Sequence, residues 1–266
     1  MGSVAGVVRR EGVLLQAFPR GGAAFDEKLR WDSNELELGL VNGFQLVGRG
    51  SLVTIPIAGQ RVLAFLALHD RPLRRAYVAG SLWPDEPEVR SAARLRGALC
   101  RLRQAGVDMV MPIDDRLRLS PMLVVDLHLV RASVDQLGDA ARVPEECTPW
   151  LAALSGDLLP DWYEDWVEVE RERYRQLRVH GLEALCKGLT AAGRFSLAVQ
   201  AGLACVAADP LRESAHRALI QAYLEEGNPS LALRQYHRFR QVAEEDLGLE
   251  PTEHIKRLVR PFASVA

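Results

Sequence analysis

The sequence predicts a mostly α-helical chain in two parts, and three observations predict it. Residues 44–122 read as a hairpin, three helices and a second hairpin; residues from about 184 onward repeat themselves at a spacing of 34; and charge divides unevenly between the two stretches. The 266 residues exceed the roughly 100–200 of one typical domain. With 48% hydrophobic and 26% charged residues the composition supports sizeable cores and argues against wholesale disorder.

No uncharged apolar run approaches the ~18 residues of a membrane helix. The apolar stretch near Val7 is cut by Arg9, Arg10 and Glu11, which breaks a signal core. A cytoplasmic protein is expected. Cys100, Cys147, Cys186 and Cys205 are widely scattered with no CxxC pair, so a zinc ribbon is excluded and small core hydrophobes are expected instead.

Residues 1–43 carry Gly21 and Gly22 with poor periodicity and are expected to form a loosely ordered extension. Two apolar runs, Phe44 to Val47 and Leu52 to Ile57, flank a Gly-containing loop as in a short β-hairpin. A helix over about Gln60 to Leu68 turns Val62, Leu63, Phe65 and Leu66 toward a core. A second, about Arg74 to Leu82, ends before Trp83 and Pro84. Pro87 suits the first turn of a third helix, about Pro87 to Gln104.

Turning each residue of that third helix by about 100° gathers Ala92, Leu95, Leu99 and Leu102 into an apolar stripe. Arg90, Arg94 and Arg101 then share the opposite face with Gly97 between them. Such a face can enter a major groove, where arginine bonds guanine O6 and N7 and a small residue permits close approach; a merely solvated charged face is the alternative. Val110 to Ile113, Asp114, Asp115 and Arg116 to Leu119 then read as a second hairpin, with Arg116 and Arg118 on one side and Leu117 and Leu119 on the other. A hairpin, three helices and a terminal basic hairpin make a winged helix-turn-helix over 44–122, and this favours DNA binding.

Charge agrees with that division. Residues 44–122 hold twelve arginines against seven carboxylates, a formal +5, while the remainder from Leu123 carries −6. A basic segment joined to an acidic one is expected where one half meets nucleic acid and the other protein. Thirty of the 33 basic residues are arginines, which a GC-rich coding sequence also explains.

In the second half an offset of 34 aligns Ala184 with Ala218, Leu185 with Leu219, Gly193 with Gly227 and Ala198 with Ala232. This is the tetratricopeptide period. Gly193 and Gly227 mark turns within helix pairs, and Asp209-Pro210 and Glu250-Pro251 close the units. Because single pairs cannot bury their apolar faces, Val125 to Leu137 and Trp162 to Leu189 are expected to supply further stacked helices. Residues 123–262 therefore read as an all-α interaction or dimerisation module.

Two features of this half invite an enzymatic reading. Glu164 and Glu168 lie one helical turn apart beside Asp161 and Asp165, but alternation with Arg171, Arg173 and Arg175 points to a solvated ion-paired face. Trp162 and Trp166, also one turn apart, are expected to pack where the two halves meet. No HExxH, GxxxxGK[ST] or GxSxG occurs, so metalloprotease, nucleotidase and hydrolase readings lack their minimum residues; no catalysis, metal or cofactor is expected.

The segments "QRVLAFLALHDRP", "VAGSLWPDEPEVRSAARLRGALCRLRQAG" and "DRLRLSP", followed by "VDLHLV", resemble the response-regulator-type winged helix of the Streptomyces antibiotic regulatory protein family. "DPLRESAHRALIQAYLEEGNPSLALRQYHRFRQVAEEDLGLEPT" resembles the bacterial transcriptional activation domain that follows it in that family. Together they cover about Phe44 to Val259. Family members typically start only a few residues before the first strand, so residues 1–43 depart from the pattern. Larger members append an ATPase, for which the chain ends too soon after Pro251. The resemblance implies an activator that binds promoter direct repeats as a side-by-side homodimer and engages RNA polymerase holoenzyme, usually for a secondary-metabolite gene cluster. It implies a groove role for Arg90, Arg94 and Arg101, with Ser91 near the helix start available to a phosphate or base. Arg116 and Arg118 would serve the wing, Arg61 a phosphate, and Arg74 and Arg75 a phosphate or the polymerase. The alternative is a helical-repeat adaptor whose winged helix binds protein.

Overall fold

The computed structural model describes residues 36–69, 71–105, 108–139 and 147–263. Most of the expected extension, residues 1–35, lies outside these. The chain opens with three short strands, β1 (Leu36–Gly39), β2 (Gln45–Gly48) and β3 (Ser51–Leu52), and helix α1 (Ile57–Leu68). Then come β4 (Leu73–Arg74), α2 (Arg75–Leu82), α3 (Glu88–Gln104), the hairpin β5 (Val110–Ile113) and β6 (Arg116–Leu119), and β7 (Leu123–Val125). Seven helices follow: α4 (Asp126–Asp139), α5 (Thr148–Ser155), α6 (Asp165–Ala191), α7 (Phe195–Ala208), α8 (Glu213–Glu225), α9 (Pro229–Leu247) and α10 (Glu253–Ala263).

The wing is the hairpin expected from sequence, closed at Asp114 with φ +52° and paired from Val110↔Leu119 to Ile113↔Arg116. β4 joins its other edge through Leu73↔Leu117. The N-terminal sheet corrects the expected boundaries. Its order is β3-β2-β1-β7, so β1, assigned to a loose extension, is an inner strand with Leu36 and Leu38 buried in alternation. β7, assigned to the second domain, lies parallel beside it in the register Leu36↔Leu123 to Leu38↔Val125. The pairing spans almost ninety residues, so no local pattern announces it.

Asp126, the first residue of α4, fastens this joint. Its buried carboxylate accepts the N–H groups of Leu40 at 2.9 Å, Val41 at 2.9 Å and Leu127 at 2.6 Å. Burial pushes the carboxyl up to about 6, and the three donors hold it from going further.

The helical half repeats as expected. α7 starts at Phe195 and α9 at Pro229, 34 residues on, after turns at Gly193 (φ +71°) and Gly227 (φ +87°). Cys186 of α6 and Cys205 of α7 are buried with Leu189 and Ala201 in a core continuous with that of the winged helix; Cys147 is also buried, while Cys100 is exposed.

The two halves dock through aromatic side chains and one loop. Phe44 stacks on Trp162 at 5.9 Å between centroids, Phe65 meets Trp166 edge-on at 5.2 Å, and the two tryptophans are 6.0 Å apart, as the sequence suggested. Backbone bonds join Asn42 N–H to Asp157 O at 2.7 Å and Leu159 N–H to Leu40 O at 2.9 Å. The approach demands glycine at 156, where a Cβ would come within 2.5 Å of Val41 Cγ1. Among the described residues no helix is long and apolar enough to cross a membrane.

Candidate nucleic-acid interface

α3 rests on the core through Ser91, Leu95, Ala98 and Leu102, all buried. That stripe lies about 50° around the helix from the expected Ala92, Leu95, Leu99 and Leu102. The cause is Ser91. It is 2% exposed, and its hydroxyl donates to Glu88 O at 3.0 Å, so a residue read as available to DNA behaves as a core position. A small hydroxyl satisfied within its own helix is buried at little cost.

The rotation changes which residues face outward. Val89, Ala93, Arg96 and Cys100 are exposed along the line opposite the core, with Arg90 and Arg101 on one flank and Arg103 on the other. Arg96 and Arg103 were missed in the sequence because the presumed stripe placed them beside Leu99. The signal that finds them is the helical position of Ser91. Arg94 sits closer to the core edge, and its guanidinium pairs with Glu86 at 2.5 Å while the side chain remains 58% exposed. Among the described residues no carboxylate lies within ion-pair distance of Arg90, Arg96, Arg101 or Arg103. The Arg101 guanidinium lies over Gly97, 3.7 Å from where a Cβ would stand, so this glycine gives the arginine room to lie along the helix.

Between α3 and the wing runs a groove of about 200 Å³, lined by Arg75, Arg96 and Arg103 with one carboxylate, Asp108, over Leu99, Met109 and Pro112. On the wing Arg116 and Arg118 are exposed while Leu117 and Leu119 are buried, the expected alternation. Arg74 and Arg116 stand 3.6 and 3.8 Å from Asp115 at the wing turn, and the Arg75 N–H bonds Asp115 O at 2.9 Å. The second helix is thus tied to the wing; Arg75, Arg96 and Arg103 line the groove, and Arg90 and Arg101 of α3, Arg74 of β4 and Arg116 of β6 are exposed.

Arg61 does not belong with these arginines. Its guanidinium donates to Leu82 O at 2.6 Å, lies 5.9 Å from the Trp83 ring centroid and pairs with Glu164 at 3.2 Å. Half-buried and held by these contacts, it joins the winged helix to the helical half in place of the phosphate role expected of it. Of the carboxylates that invited an acid/base reading, Glu164 pairs with Arg61 and Glu168 with Arg171 at 2.6 Å. Among the described residues no group of histidine, cysteine and carboxylate side chains is placed to hold a metal ion.

The family model described as the bacterial transcriptional activator domain matches residues 125–261. The chain is 24% identical over 224 residues to the regulatory protein AfsR of Streptomyces griseus, covering 81% of this chain and 23% of that protein. It is 25% identical over 244 residues to the transcriptional regulatory protein MoaR1 of Mycobacterium tuberculosis, covering 84% and 78%. Mycobacterium tuberculosis EmbR, solved in complex with a low-affinity phosphopeptide, shares the fold at a TM-score of 0.70 and 24% identity, over 86% of this chain and 65% of that one. This chain therefore spans about a quarter of the length of AfsR and two thirds of the EmbR chain. The match over residues 125–261, together with these relatives, places the chain in the bacterial transcriptional activator domain family, among the Streptomyces antibiotic regulatory protein type of regulators.

Proposed function

We propose that the chain is a sequence-specific DNA-binding transcriptional activator, acting in the cytoplasm at the nucleoid. Residues 36–125 form its DNA-binding unit, and 126–263 the module through which it meets RNA polymerase holoenzyme. The observation that carries this reading is the face of α3 on which Arg90, Arg96, Arg101 and Arg103 have no ion-pair partner among the described residues, followed by a wing that exposes Arg116 and Arg118. In a winged helix the outward line of the third helix enters the major groove and the wing touches phosphate or the minor groove. Arg96, Arg90 and Arg101 are assigned to base edges, Arg74, Arg75, Arg103 and Arg116 to phosphates. Two protomers bind a direct repeat side by side, and the regulated genes are those of one secondary-metabolite pathway.

Selection from a random duplex library with the full chain tests the reading. A direct repeat spaced by one or two helical turns is expected, since that spacing puts both protomers on the same DNA face. Salt-sensitive retention without a motif would reduce the protein to a nonspecific binder. No retention would favour an adaptor whose winged helix binds protein.

A further inference from the structure

Arg118 does not line the groove between α3 and the wing. At the end of β6, Arg118, Leu119 and Ser120 line a second cavity, of about 170 Å³. Arg71 and His69 line it too, and His128 from α4 closes it. Four side chains able to carry positive charge and one hydroxyl thus surround one polar space, and among the described residues no carboxylate lines it. Neither Arg71 nor Arg118 has an ion-pair partner among the described residues.

Two guanidinium groups facing one cavity repel each other unless an anion lies between them. The histidines add to this. His69 Nδ1 lies 2.8 Å from Phe65 O and His128 Nε2 lies 2.8 Å from Ala67 O. A carbonyl only accepts, so each ring nitrogen there carries a proton and donates it. Among the described residues neither ring's other nitrogen has a hydrogen-bond partner. These bonds also occupy carbonyls near the end of α1, whose partial negative charge would otherwise oppose an anion. Ser120 Oγ accepts the Met122 N–H at 3.3 Å, which leaves its own proton to donate.

We propose that this cavity is a binding site for a small tetrahedral oxyanion, taken up from solution as a free phosphate or phosphate monoester. Arg71 and Arg118 supply charge-assisted bonds and Ser120 a neutral donor. The volume excludes larger ligands, since drug-sized molecules occupy about 300–1,000 Å³. Because Arg71 and Arg118 belong to the winged helix and His128 to α4, the cavity lies at the seam between the two halves, and an occupant stabilises the folded chain.

Inorganic phosphate, titrated against chloride at constant ionic strength, tests the site with the full chain. Saturable shifts of the His69 and His128 ring resonances are expected, together with a rise in Tm that chloride does not reproduce. Arg71→Gln and Arg118→Gln should each weaken phosphate binding about tenfold, while Arg90→Gln leaves it unchanged. Both substitutions are at exposed positions, so folding is retained. Absence of saturation in the unmodified chain, or equal binding by the variants, would overturn the proposal. So would a loss of duplex affinity in Arg71→Gln and Arg118→Gln as large as in Arg90→Gln, which would make the cluster a contact to the DNA backbone.

Discussion

Two helices of this molecule carry clustered arginines and use them in opposite ways. In the first half of α6, Arg171, Arg173, Arg175 and Arg178 each meet a carboxylate: Glu168, Glu170, Glu172 with Asp209, and Asp157. Arg171 further donates to the carbonyls of Leu158, Leu159 and Trp162, which fastens the loop that pairs with the N-terminal sheet. On α3 only Arg94 has such a partner among the described residues. The difference lies in where carboxylates stand, since Glu and Arg three apart share a helix face on α6 while α3 has a single acid, Glu88, at its start. Arginine content alone therefore says little about nucleic-acid binding; arginine without acid on the same face says much.

The sharpest way to break this contrast is Arg171→Ala. It strips three carbonyls of their donor and should cost ~2–4 kcal/mol of stability, read as a lowered urea midpoint, with duplex affinity of the folded fraction unchanged. Arg96→Ala should behave in reverse. A loss of ~1–3 kcal/mol in specific duplex binding and relaxed choice at one base step are expected, with Tm unaltered because the side chain is exposed.

Glu183, further along α6, adds a pH test. Burial pushes its carboxyl up, but bonds from Lys187, Ser214 and Arg212 outweigh burial and hold it near 2. A carboxyl held below its unfolded value of 4.5 stabilises the fold above that pH, and the contribution is lost as pH falls toward 2. Glu183→Gln should cost ~1–2 kcal/mol at neutral pH, and its difference from the unmodified chain should close on acidification in denaturant titrations. The smallest effect is expected at Glu86→Gln, which frees Arg94. Duplex affinity should rise by a few fold at low salt and by less at high salt; an unchanged affinity would show that Arg94 takes no part.

Much of this was legible in the sequence because it is local. The wing needs only alternation around Asp114 and Asp115, and the repeat of α7 and α9 needs only a period of 34 with a glycine at each turn. Trp162 and Trp166 were placed at the junction because large aromatics one turn apart need an apolar partner surface. What escaped depends on partners distant in the chain. The β1–β7 pairing and the Asp126 bonds to Leu40 and Val41 join segments more than eighty residues apart, and Arg61 finds Glu164 a hundred residues on. Arg61 thus looked available for phosphate, and residues 36–43 looked like loose chain. Ser91 escaped for another reason: hydropathy ranks serine as polar, whereas a hydroxyl bonded within its own helix packs like alanine, and that one misreading rotated the presumed DNA face.

The central claim is that the uncompensated face of α3 holds the duplex. The most direct test compares duplex affinity against salt for the full chain, for the Arg90→Ala, Arg96→Ala, Arg101→Ala triple variant, and for a matched Arg173→Ala, Arg175→Ala variant on α6. The account predicts a steep salt dependence that becomes shallower and loses its selected motif only when α3 is stripped. Equal losses from both helices, or none from α3, would contradict it.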